Sequence, residues 1–212
     1  MKTIGIFPLR LVLFPESAYP LHIFEERYKT LISKCLQERA HFGINFMSNE
    51  GMKDVGCSAT ITDVLRHYDD GRMDIVVAGV RRYKLKSFAD GKDKYYVGQV
   101  DYFDDIDNSY EQEHLSKCIE IYNRIAETVK TIKIDVIAIE NVSSNYPSFQ
   151  LAQKAGLAIE QRQVLLESRN ENERLIYLYE HFNKILPTVK TIDGINNLIK
   201  NDGYIKPNLP KS

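Results

Sequence analysis

The chain has 212 residues, 43% of them hydrophobic and 27% charged, and carries a formal net charge of −1. This is the balance of an ordinary soluble globular protein with room for one large domain or two small ones. No apolar stretch approaches the roughly 20 residues of a membrane-spanning helix, and the near-zero charge gives no global pull toward nucleic acid or anionic lipid. Three cysteines, Cys35, Cys57 and Cys118, are odd in number and far apart, which suits buried free thiols in a reducing compartment better than a disulfide framework.

The N-terminus, Met1-Lys2-Thr3-Ile4-Gly5, runs straight into strand-like sequence without the apolar core and cleavage site of a signal peptide, which predicts a cytoplasmic protein. Pro8 and Pro15 bracket the apolar run Leu9 to Phe14 and predict the two ends of an edge or bulged strand, since proline cannot donate to a central ladder. Tyr28, Leu31, Ile32, Cys35 and Leu36 fall on one helical stripe with Glu25, Glu26, Lys29, Lys34 and Glu38 opposite, so a helix is expected to cap the sheet. From Phe42 to Phe103 the pattern is that of strands: Phe42 to Met47, then Val55 to Leu65 and Met73 to Gly79 joined across Asp69-Asp70-Gly71, then Arg82 to Phe88 and Tyr95 to Tyr102 separated by Asp90-Gly91-Lys92. The sum is an antiparallel unit of six or seven strands.

The acidic stretch Asp104 to Ser109 breaks the alternation, and the period beyond it is helical, which places a boundary near residue 107. Leu115, Ile119, Tyr122, Ala126 and Val129 make one stripe of a helix from Glu111 to Lys130. Asn141 to Ser148 reads as a loop, followed by a short helix from Ser148 ending at Gly156 and another from Glu160 to Glu167. Asn170-Glu171-Asn172-Glu173 has capping-box spacing and opens a long helix lined by Leu175, Leu178, Phe182, Ile185 and Leu186, which Pro187 is expected to stop. A last helix around Ile192 to Lys200 precedes a tail from Lys206. The segregation of strands and helices is α+β, divided as 1–107 (β), 108–205 (helical) and 206–212 (tail).

Phe7-Pro8-Leu9, Leu13-Phe14-Pro15 and Pro20-Leu21-His22-Ile23-Phe24-Glu25-Glu26-Arg27-Tyr28 resemble the opening of the LON domain, the N-terminal domain of ATP-dependent Lon proteases, also found as a free-standing protein. The likeness continues through Gly56-Cys57-Ser58-Ala59-Thr60-Ile61, Asp70-Gly71-Arg72 and Gly79-Val80-Arg81-Arg82-Tyr83, and in the helical half through Leu151-Ala152, Gln163-Val164-Leu165-Leu166-Glu167 and Arg174-Leu175. It spans about residues 4 to 187. The resemblance implies an N-terminal PUA-like antiparallel β pseudo-barrel with one capping helix, a C-terminal helical bundle behind it, and a domain that handles polypeptides and performs no chemistry. The 212 residues contain no Gly-x-x-x-x-Gly-Lys-Ser/Thr phosphate loop and nothing that reads as a serine-lysine protease domain, so a free-standing module is expected.

The residues themselves point away from catalysis. Histidines 22, 41, 67, 114 and 181 never pair at i+3 or i+4 or stand near a cysteine, so no metal site and no cofactor is expected. Gly56-Cys57-Ser58 lacks the pattern of a nucleophile elbow, and the acidic run Asp101 to Asp107 lacks the glycine and closing glutamate of a calcium loop. Phe7, Leu13, Phe14, Pro15, Tyr19, Phe24 and Tyr28 are more large hydrophobes than one small sheet hides. Phe7, Phe14, Pro15, His22, Phe24 and Tyr28 are therefore the candidate peptide-binding residues, lining a cleft expected where the β and α halves meet. Arg82, Lys84 and Lys86 recur with period two, with Arg66, Arg72 and Arg81 nearby, and are candidate polyanion ligands. The expected partners are unfolded polypeptides or a partner protein, a separate protease or ATPase among them, with no membrane and an open oligomeric state. Nucleic acid is disfavoured, and an RNA-binding PUA-like module is the alternative.

Overall fold

The structure is a computed structural model that describes residues 1–129, 134–143 and 145–189. The expected helix at Ile192 to Lys200, the tail from Lys206 and the last residue of the expected helix ending at Lys130 lie outside the described residues. The chain divides into two compact units, Met1–Asp104 with Gln163–Glu167, and Asp105–Arg162 with the chain from Ser168 onward. Among the described residues no helix is long and apolar enough to cross a membrane.

The first unit holds one six-stranded sheet: β1 (Lys2–Leu9), β2 (Ala18–Ile23), β3 (Phe42–Ser48), β4 (Gly51–His67), β5 (Met73–Asp90) and β6 (Tyr96–Tyr102). The order is β2-β5-β4-β3-β1-β6, and β6 also pairs with the distal half of β5. The sheet is mixed rather than wholly antiparallel, because β1 and β3 run parallel, Ile6 opposite Gly43. The chain between them, β2 plus helix α1 (Glu26–Glu38), is long enough to return it to the same end of the sheet.

Two further expectations for the strands fail. The run Leu9 to Phe14 is not a strand. β1 passes through Pro8 to Leu9, and Pro8 lies past the last β1–β6 pair, Ile6 with Tyr96, so on that side there is no ladder for the missing N–H to interrupt. The segment after it is an ordered loop with Val12, Leu13 and Phe14 buried, each side chain worth about 1.5–3 kcal/mol of burial. Ser17 fixes it by accepting the Phe14 N–H at 3.1 Å and donating to the Phe14 carbonyl at 2.6 Å. The second failure is the break at Val80 and Arg81. β5 is one continuous strand, and a bulge leaves Val80 without an opposite number on β4 while pairing resumes at Arg81 with Ser58. The hairpin between β4 and β5 forms as expected, with the positive φ, 81°, on Gly71.

β1 alternates as a strand must, sending Phe7 into one core cluster and Ile6 into another. The first cluster gathers Tyr28, Leu31, Ile32 and Cys35 of α1 against Phe42, Ile44, Ile75 and Val77, so α1 packs by the expected stripe. The second holds Ile6, Tyr83, Leu85 and Val100. Tyr83 is fully buried and donates its hydroxyl to Asn45 Oδ1. It fits because Gly43 and Gly56 bear no side chain: a Cβ on Gly43 would stand 2.8 Å from Tyr83 Cζ, and one on Gly56 would stand 2.7 Å from the hydroxyl. Gly79 is needed for a similar reason, since a Cβ there would meet the Phe14 carbonyl carbon at 2.8 Å. Residues 163–167 complete this unit, with Gln163 Nε2 donating to the Val55 carbonyl at 3.0 Å and the Leu166 carbonyl accepting from Arg82 Nη1 at 3.0 Å.

The second unit contains α2 (Gln112–Thr128), α3 (Pro147–Gln153), the first turn of α4 (Ile159–Glu167) and α5 (Glu171–Val189). Leu115, Ile119, Tyr122 and Ala126 of α2 are buried as their spacing predicts, as are Leu175, Leu178 and Phe182 of α5, while Ile185 and Leu186 are half-buried. Asn170 caps α5 by accepting the Glu173 N–H at 2.9 Å, but the reciprocal arm of the box is not made: the Asn170 N–H donates to Ser168 Oγ. Pro187 does not stop α5, which runs on to Val189. A proline two residues from the end forfeits one bond of the last turn, a smaller loss than one in mid-helix. At the base of α5, Arg174 satisfies all of its donors inside the protein, on Ser148 Oγ, both oxygens of Asp105, the Ser168 carbonyl and Glu171.

Candidate functional site

The sequence-derived candidates separate by burial. Phe7, Phe14, Pro15 and Tyr28 lie in the core of the β unit, with Phe7 stacked on Tyr28 at 3.8 Å between ring centroids. A side chain buried in that way presents no surface to a ligand. His22 and Phe24 do, and Phe24 is 61% exposed. Arg82 is also removed from the surface: it is 2% exposed, donates to Leu166 and lies over the Phe103 ring at 4.9 Å. Lys84 and Lys86 remain exposed, with Lys86 Nζ 3.5 Å from Asp101.

Around His22 and Phe24 the sheet assembles a group that the sequence does not place side by side. Register puts His22 of β2 opposite Asp74 of β5, and Asp74 opposite Arg66 of β4, so the three form one row across the strands. Two residues further along, just beyond the strand ends, stand Phe24, Arg72 and Tyr68, with the Tyr68 N–H donating to the Arg72 carbonyl at 3.0 Å. Residues two apart on a strand share a face, and the distances agree. His22 Nδ1 is 2.6 Å from Asp74 Oδ1, and the Tyr68 hydroxyl donates to Asp74 Oδ2 at 2.7 Å. The His22 ring stacks with Phe24 at 6.0 Å and meets Tyr68 edge-on at 5.9 Å. The guanidinium carbons of Arg66 and Arg72 lie over the Tyr68 ring at 4.6 and 4.9 Å.

The electrostatics follow from those bonds. Asp74 is held below the usual carboxylate range, first by the hydrogen bond from His22 and then by that from Tyr68, and donating a hydrogen bond to an ionised Asp74 pushes the Tyr68 phenol up. With both oxygens of Asp74 occupied, its charge acts as a pin for His22 and Tyr68. An ionised Asp74 can only accept, so the proton of that bond belongs to His22 Nδ1. Arg72 Nε donates to Asp70 at 2.7 Å, whereas Arg66 makes no ion pair or hydrogen bond among the described residues.

Asp74 and Tyr68 were not legible as site residues. The hairpin Arg66-x-Tyr68…Arg72-x-Asp74 is visible around the Asp-Gly turn, and its alternation aligns those four; the pairing of β2 beside β5 is long-range and has no local signal. Among the described residues there is no set of three or more His, Cys, Asp or Glu side chains able to hold a metal. Burial pushes the Cys35 thiol up to about 11 and those of Cys57 and Cys118 up to about 12, so none is an activated nucleophile.

The motifs that run through the chain are explained by packing: Gly56 and Gly43 make room for Tyr83, Gly79 for the Phe14 carbonyl, and Arg82 ties the β unit to Leu166. Residues 3–184 match the family model described as the ATP-dependent protease La (LON) substrate-binding domain. The chain belongs to that family. Among curated proteins it is 21% identical over 186 residues to a Lon protease of Azorhizobium caulinodans, covering 82% of this chain and 22% of that protein. It is 27% identical over 111 residues to a Lon protease of Parabacteroides distasonis, covering 49% of this chain and 13% of that one. The LON-family chain thus spans less than a quarter of the length of these relatives. Among solved structures, a Lon N-terminal domain protein from Xanthomonas campestris superposes with a TM-score of 0.66 at 22% identity, over 84% of this chain and 97% of the other. The N-terminal domain of the Mycobacterium avium complex Lon protease gives 0.63 at 16%, over 86% and 98%. Both share the fold.

Proposed function

We propose that this LON-family chain is a non-catalytic polypeptide-binding module that recognises unfolded or hydrophobic protein segments. The observation that carries the reading is the match of residues 3–184 to a family described as substrate-binding. It is supported by buried, high-pKa thiols and by an exposed aromatic and arginine group on the β unit, the residue types that dominate protein interfaces. The β unit is read as a PUA-like pseudo-barrel, a form supported by the pairing of β6 with β1 on one side and β5 on the other. A separate protease or ATPase is a partner class consistent with the curated relatives, which are Lon proteases.

The test is a fluorescence-anisotropy titration against a labelled, permanently unfolded polypeptide, with single-stranded RNA in parallel, at low and high salt. Saturable polypeptide binding that survives salt is expected. Salt-sensitive RNA binding without polypeptide binding would replace this reading with the RNA-binding one.

A further inference from the structure

We propose that the group formed by the row His22–Asp74–Arg66 and by Phe24, Arg72 and Tyr68 is the docking face for an extended polypeptide segment in which an acidic side chain stands next to an apolar one. The proposal rests on the polypeptide-binding reading and gives that binding a place and a ligand chemistry.

Three features of the group carry it. The first is a guanidinium whose hydrogen-bonding edge is unused. Arg66 lies over the Tyr68 ring at 4.6 Å and makes no hydrogen bond or ion pair among the described residues, while the neighbouring Arg72 is engaged by Asp70. A planar guanidinium laid on an aromatic face keeps the N–H edge of its fork available, and that edge matches the two oxygens of a carboxylate. The second is an exposed apolar anchor. Phe24 is 61% exposed and is held against His22 at 6.0 Å, so a ligand side chain can cover a ring already held in place. The third is pre-organisation. Asp74 bonds both His22 and Tyr68, so the rings that carry Arg66 and flank Phe24 are fixed before any ligand arrives, and less ordering entropy is lost on binding. Asp74 faces Arg66 and attracts it, but both Asp74 oxygens and the Asp70 carboxylate are hydrogen-bonded to other donors, so the N–H groups of Arg66 have no carboxylate bonded to them. Charge complementarity therefore selects an Asp or Glu side chain, and the adjacent Phe24 selects an apolar neighbour.

The test uses the full chain and a fluorescein-labelled twelve-residue peptide alternating Glu with Leu and Phe, beside the same peptide with Gln for Glu. The Glu peptide is expected to bind roughly tenfold tighter than the Gln peptide, as befits a charge-assisted bond. Arg66→Gln should bring the two affinities together, Phe24→Ala should weaken both peptides, and Lys86→Ala should change neither. Equal binding of the two peptides by the unsubstituted protein overturns the ligand chemistry. A Glu preference untouched by Arg66→Gln and Phe24→Ala overturns the location and leaves polypeptide binding standing. Failure of both peptides, and of a permanently unfolded polypeptide, to bind overturns the proposal together with the reading beneath it. RNA binding lost on Arg66→Gln, without peptide binding, replaces the occupant.

Discussion

Gly43→Ala tests the claim that the core of the β unit is built around one tyrosine. The added methyl would stand 2.8 Å from Tyr83 Cζ and 2.9 Å from Ile6 Cδ1, and closer still to the Tyr83 hydroxyl. Tyr83 cannot withdraw, because it is fully buried and its hydroxyl is bonded to Asn45 Oδ1. Overpacking of this kind costs about 1–3 kcal/mol. Tyr83→Phe alone removes the donor to a buried amide oxygen and should cost about 1–3 kcal/mol. In the double variant the hydroxyl that meets the new methyl is gone, so the losses should fall short of additive by about 1 kcal/mol. The assay is urea unfolding followed by pulsed thiol labelling at Cys57, which lies wholly buried in β4 beside this cluster and so reports on this unit rather than the helical one. A Gly43→Ala midpoint within error of the parent, or strict additivity in the cycle, would refute the packing argument.

Arg174→Met should destabilise the helical unit by roughly 3–5 kcal/mol, since it leaves Asp105 and Glu171 buried without their cation; chemical denaturation followed by circular dichroism measures it. His181, buried with Nε2 donating to the Ala155 carbonyl at 2.9 Å, has its pKa lowered by desolvation. The unfolded chain then takes up the proton first, so stability should fall as pH drops below the ordinary histidine value of about 6.5 and level off below the folded pKa. His181→Gln should flatten that limb in urea midpoints taken from pH 7.5 to 5. With thiol pKa values of about 11 for Cys35 and about 12 for Cys57 and Cys118, a thiol reagent at pH 8 should label none of the three in the native protein and all three in denaturant.

Periodicity was enough for whatever depends on neighbours within a few residues. The stripe Tyr28, Leu31, Ile32 and Cys35 buries one face of α1, the alternation around Asp70-Gly71 produces the β4–β5 hairpin, and Asn170 caps α5. The ordered motifs Gly56-x-x-Ala59, Gly79-x-x-Arg82-Tyr83 and Gln163-x-Leu165-Leu166-Glu167 placed the chain in its family, because each records a packing constraint that one fold imposes. Burial of particular residues was decided by tertiary structure. Phe14 and Phe24 are the same residue type in similar apolar settings, yet one is buried from a loop pinned by Ser17 and the other stands past the end of β2 in solvent. Arg82 and Lys84 share a strand face, yet only Arg82 is covered, by a segment about 84 residues further along the chain. The row His22–Asp74–Arg66 exists only because β2 pairs with β5 across about 52 residues of sequence. Local pattern specifies which way a side chain can face within its own element; which faces meet is set by the long-range pairing of strands, where the free energy resides in contacts that no short window of sequence contains.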